Sequence, residues 1–89
     1  MQVAGTGFNT STIALRREQN GPHGPGIVFA KSRSSSLGGS TAVQNGDAVG
    51  SLLFAAADGS DLTSVTAQIK VEIDGTPGSN DTPGRIMFM

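Results

Sequence analysis

Ala67-Gln68-Ile69-Lys70-Val71-Glu72-Ile73-Asp74-Gly75 decides the fold class. Ile69, Val71 and Ile73 fall on one side of an extended chain, and Lys70 and Glu72 fall on the other. That period of two marks a half-buried strand. Asp74-Gly75 closes it with a dipeptide that tolerates positive φ.

Working outward, the same grammar recurs. Thr12-Ile13-Ala14-Leu15-Arg16 alternates, and Ile27-Val28-Phe29-Ala30-Lys31, Ser51-Leu52-Leu53-Phe54-Ala55 and Arg85-Ile86-Met87-Phe88-Met89 are short apolar runs. Asn20-Gly21-Pro22, Gly38-Gly39, Asn45-Gly46-Asp47, Asp58-Gly59, Asp74-Gly75 and Pro83-Gly84 separate them as turns. No stretch sustains the i, i+3, i+4, i+7 spacing of an amphipathic helix. The pattern predicts an all-β chain of short strands.

Thr12–Phe29 and Ala67–Phe88 also share an order: alternating strand, Asn-Gly or Asp-Gly turn, Pro and Gly, then a strand ending in Phe. Gln44–Phe54 is a third, shorter variant. Repeated strands that cannot each bury a face stack along one chain or across several.

Composition says which. Gly, Ser, Thr, Asn and Asp fill 40 of 89 positions, while Ile, Leu, Val, Phe and Met fill 23. A short chain already buries a small share of its surface, and 13 glycines raise the entropy cost of ordering it. No cysteine is present to supply a disulfide or thiolate metal site. Disorder fits poorly, because the net charge is −1 and only 15% of residues are charged. These few strands also fall short of a closed monomeric sandwich. The expectation is burial against other chains. Residues 1–89 read as one fibrous β segment, and the chain ending within Ile86-Met87-Phe88-Met89 reads as a piece of a longer protein.

The near-neutral charge argues against nucleic acid and anionic membrane surfaces as partners. No apolar run has the length of a membrane span, and the N-terminus lacks a signal-peptide pattern.

Val3–Leu15, Ile27–Arg33, Val43–Gly59 and above all V-E-I-D-G-T-P-G-S-N-D-T-P-G-R-I-M-F (Val71–Phe88) resemble a segment of bacteriophage tail fibre and related appendage proteins. The likeness covers nearly the whole chain, and D-G-T-P-G-S-N-D-T-P-G-R is its most specific block. In those proteins the segment lies near the C-terminal end, often ahead of a self-cleaving intramolecular chaperone, which these residues do not include. The resemblance implies a homotrimer wound around one axis as an intertwined triple-stranded β-helix. It further implies a virion location after synthesis in the host cytoplasm. A host cell-surface glycan or receptor would be engaged through the full-length fibre. The residue pattern alone leaves open a prism of three side-by-side sheets.

A shared core answers the deficit of apolar residues, since three chains contribute three sets of side chains to one interior. The residues expected to line it are Ile13, Leu15, Ile27, Phe29, Leu52, Phe54, Ile69, Val71, Ile73, Ile86 and Phe88.

Candidate chemistry is sparse. His23, in Gly21-Pro22-His23-Gly24-Pro25, reads as an exposed turn residue. Three copies meeting on an axis could hold a metal, but the paired histidines of axial metal sites in some fibres are lacking. Asp58, Asp61, Asp74 and Asp81 lack the alternate ligand spacing of a calcium loop and read as turn-capping residues. With no Trp or Tyr to stack on sugar, they also make a poor glycosidase pair. Gly5-Thr6-Gly7 and Gly24-Pro25-Gly26 open no helix and lack Gly-Lys-Ser/Thr, so neither is a phosphate loop. No catalytic residue, cofactor or metal is expected. Ser34–Thr41 reads as an exposed low-complexity loop; in the alternative reading, a binding module, it and Ser60–Ser64 touch a surface glycan or receptor.

Overall fold

The computed structural model describes residues 1–89. It is all-β and contains no helix. Three strands, β1 (Ala48–Ala56), β2 (Ser64–Ile73) and β3 (Gly84–Phe88), form one antiparallel sheet in the order β1-β2-β3. The alternating stretch lies in β2, the central strand, where both backbone edges are paired.

Register then assigns the faces, because directly opposed residues of an antiparallel pair project to the same side. Gly50, Leu52 and Phe54 of β1 stand opposite Val71, Ile69 and Ala67 of β2. Ile69, Val71 and Ile73 in turn stand opposite Phe88, Ile86 and Gly84 of β3. One face is therefore wholly apolar. The other carries Ser51, Lys70 and Met87, with Leu53 opposite Gln68 and Glu72 opposite Arg85. Irregularities between Ala48 and Gly50 and between Phe54 and Ala55 bound this register within β1.

The connections use the expected turn residues. Gly59 takes φ +97° in the β1–β2 connection. The β2–β3 connection is closed by Asp74 N–H donating to Pro83 O at 2.9 Å. Within it, Gly78 and Asp81 pair in a small antiparallel bridge with Asn80 at φ +55°. The most distinctive block of the sequence is thus a hairpin loop braced at both its base and its tip.

A second anchor joins residues before the sheet to its end. Gly46 N–H donates to Ile73 O, and Ile73 N–H to Asp47 O, both at 2.8 Å. The Asn45 side-chain oxygen accepts from Gly75 N–H at 2.9 Å. Ile73 is one of the two buried residues of the chain; the other, Val43, stands two positions before Asn45.

Thr12–Arg16 and Ile27–Lys31, expected as strands, are not strands in the single chain. Of the first 42 residues, only Ser11, Arg33 and Gly39 donate a backbone N–H to a backbone carbonyl. The first repeat, Thr12–Phe29, accordingly forms no hairpin, whereas Ala67–Phe88 does. The physical difference is a third strand: β1 flanks the second copy, and an isolated two-stranded hairpin is only marginally stable.

The accessible surface of 7460 Å² greatly exceeds the roughly 4,900 Å² of a compact monomer of this mass. The radius of gyration is 17.1 Å, against about 12 Å for a compact domain. The 24 backbone–backbone hydrogen bonds compare with about 60 in an ordinary fold of this length. One chain builds a sheet and hardly any interior.

Candidate functional site

The apolar sheet face is the main feature left without a partner. Leu52 is 47% exposed, Phe54 54%, Ile86 63% and Phe88 78%. Ile69 and Val71 are half-buried, and Ile73 is buried with its backbone bonded to the Gly46–Asp47 turn. Leu52, Phe54, Ile69, Val71, Ile73, Ile86 and Phe88, named from the sequence as core candidates, all belong to this one face.

Of the remaining candidates, only Phe29 reaches the face. It lies over Gly50, where the absence of a side chain lets it approach the strand backbone. Phe29, Gly50, Leu52, Ile69 and Val71 line a groove of about 260 Å³. Phe29 itself stays 49% exposed. Ile13, Leu15 and Ile27 are exposed and sit outside the groove.

The opposite face is mixed: its charged residues pair with one another, while Leu53, opposite Gln68, is 57% exposed on it. Arg85 Nη2 donates to Glu72 Oε1 at 2.9 Å, and Lys70 Nζ lies 3.3 Å from Glu72 Oε2. Arg85, then Lys70, hold the Glu72 carboxyl below its usual range.

A bidentate clamp ties the preceding segment to the sheet. Arg33 Nε and Nη2 donate to the two Asp47 carboxylate oxygens at 2.6 and 2.8 Å, and Gln44 N–H donates to the same carboxylate at 2.9 Å. The Arg33 hydrogen bonds, followed by Gln44, hold the Asp47 carboxyl far below the usual carboxylate range. Fork-to-fork geometry fixes orientation as well as distance. Sequence reading missed this clamp, because an ion pair fourteen positions apart has no periodic signature. Val43 and Gly50 escaped it too. The only trace was the pairing of two turn dipeptides, Asn45-Gly46 and Asp74-Gly75, which the fold brings together.

From the clamp, a serine-rich loop extends and returns. Arg33 N–H donates to Thr41 O at 3.2 Å, and Ser34 Oγ accepts from Ser36 N–H at 3.0 Å. Leu37 stands fully exposed in this loop.

Of the four carboxylates proposed as turn caps, Asp58 and Asp61 take that role. Asp58 accepts from Ser60 and Asp61 N–H at 2.8 and 3.1 Å, and Asp61 from Thr63 N–H at 3.1 Å. These amides hold both carboxyls below their usual range. Asp74 and Asp81 do not: the Asp74 carboxylate lies 3.5 Å from Arg85, and Asp81 closes its bridge through backbone groups. His23 is exposed in its loop, and no three His, Asp or Glu side chains converge.

No protein-family model, curated protein or solved structure matches the chain.

Proposed function

We propose that the chain is a structural segment of a homotrimeric viral tail fibre, serving as a stem or near-tip element that holds a host-recognition end away from the particle. What carries this reading is the open apolar face of Leu52, Phe54, Ile86 and Phe88 on a chain with two buried residues. Its surface exceeds that of a compact monomer by about 2,600 Å², roughly three times the share of each partner in a standard interface. Two further copies cover that face, and the largely unpaired backbone before Val43 finds its hydrogen bonds between chains. The resulting arrangement is an intertwined triple β-helix with the three apolar faces turned to the axis. Such winding makes dissociation require rupture of pairing in every chain, which gives slow unfolding. The assembled fibre would reside in the virion.

Sedimentation of the purified chain tests this. Trimer mass, together with resistance to dodecyl sulfate without heating, is the expected result. A cooperative, folded species at single-chain mass overturns it.

A second reading, a receptor- or glycan-binding module, rests on Leu37, fully exposed in a loop whose backbone is closed by Arg33 and Thr41. Retention on host surface polysaccharide, lost on Leu37→Ser with assembly intact, favours it. Absence of retention by the assembled protein removes it.

A further inference from the structure

Two Asn-Gly dipeptides occur in the chain, at Asn20-Gly21 and Asn45-Gly46, and their surroundings differ sharply. Asn-Gly is chemically labile because glycine has no Cβ to keep its amide nitrogen from the asparagine side chain. At Asn45 both reacting groups are engaged. Its Oδ1 accepts from Gly75 N–H at 2.9 Å, and Gly46 N–H donates to Ile73 O at 2.8 Å. Ile73, which accepts that bond, is the most deeply buried residue of the chain. At Asn20 neither the side chain nor the Gly21 N–H makes a hydrogen bond, and both residues are exposed.

We propose that Asn20 is a site of spontaneous deamidation, and that Asn45 is protected from the same reaction by its tertiary hydrogen bonds. The Gly21 nitrogen loses its proton to hydroxide and attacks Asn20 Cγ. A bond from that nitrogen to Cγ forms, the Cγ–Nδ2 bond breaks, and the departing nitrogen takes a proton from water, leaving as ammonia and restoring the hydroxide. Water then adds to either carbonyl of the five-membered succinimide and opens it, leaving aspartate or isoaspartate at position 20. No oxidant or cofactor enters. The product places a new negative charge beside Arg16, Arg17 and Glu18, and its isoaspartyl form lengthens the backbone by one carbon.

Reaction at Asn45 requires the turn to leave Ile73 and Gly75 first. Its rate is therefore scaled by the fraction of time this anchor is open. The proposal needs Asn20 and the Gly21 N–H to stay open, so pairing of this turn with a neighbouring chain would slow Asn20 as well.

The purified full chain is incubated in mildly alkaline buffer, with and without guanidinium, then digested with trypsin and weighed by mass spectrometry. Cleavage after Lys and Arg puts Asn20 in Glu18–Lys31 and Asn45 in Ser34–Lys70, so the sites are read separately. The native chain is expected to gain the mass of an amide-to-acid change at Asn20, with Asn45 slower by about tenfold or more, as loss of two hydrogen bonds implies. Guanidinium should bring the two rates together, and Gly21→Ala should slow Asn20 alone. Equal rates in the native chain, or an Asn20 that reacts only in guanidinium, overturn the proposal.

Discussion

Phe29 rests against the bare backbone of Gly50, so close that a methyl group added there would stand 2.7 Å from Phe29 Cβ and 2.9 Å from its Cγ. This contact joins a segment that forms no strand of its own to the apolar face of the sheet. Gly50→Ala should displace Phe29 and cost about 1–3 kcal/mol, as overpacking does. Denaturant titration measures it. Gly50→Ala together with Phe29→Ala should cost less than the sum of the single changes, since the ring no longer has to move.

Phe54 is half exposed in the single chain, and there a polar replacement has little to disturb. Assembly through the apolar face gives the opposite expectation. Phe54→Asp would place three carboxylates in one shared interior, so light scattering should register loss of the trimer. An assembled Phe54→Asp protein would remove Phe54 from the axial core.

Ile73 is the most deeply buried side chain, at 3% exposure, and both its backbone groups bond to the Gly46–Asp47 turn. Ile73→Ala should cost about 2–5 kcal/mol, whereas trimming exposed Ile13 in the same way should cost far less outside the assembly. Urea midpoints compare the two. A difference that vanishes in the trimer would place Ile13 in the shared core.

The Arg33–Asp47 clamp carries a defined pH signature. The folded-state pKa of Asp47 is depressed, first by Arg33 and then by Gln44. Its stabilisation is therefore complete above the unfolded carboxyl pKa of about 3.9 and declines as pH falls toward the lower folded value. Glu72, held down by Arg85 and Lys70, acts in the same direction. Asp47→Asn should lower stability at neutral pH and flatten its loss on acidification. Thermal melts at neutral pH and at about pH 3, below the unfolded carboxyl value, provide the check.

How far local pattern reaches is visible in β2. The alternation of Ile69, Val71 and Ile73 with Lys70 and Glu72 suffices to place these side chains on two faces, because successive residues of any strand point to opposite sides. Asp74-Gly75 and Asp58-Gly59 mark their turns for a similarly local reason: Gly75 and Gly59 take positive φ. Arg33–Asp47 and Phe29–Gly50 are different, since nothing in either short stretch encodes a partner that far along the chain.

By itself, then, the amino-acid sequence determined the all-β character, the turn positions, the two-faced central strand and the scarcity of core-forming residues. These follow from stereochemistry and composition within a few neighbours. Only the tertiary structure decided that Ile73 and Val43 are buried while Phe54 and Phe88 stay open. It alone decided that Ala67–Phe88 folds as a hairpin while Thr12–Phe29, built on the same order of residues, does not. A strand exists only where another backbone lies alongside to complete its hydrogen bonds, and β1 supplies that neighbour to one copy alone.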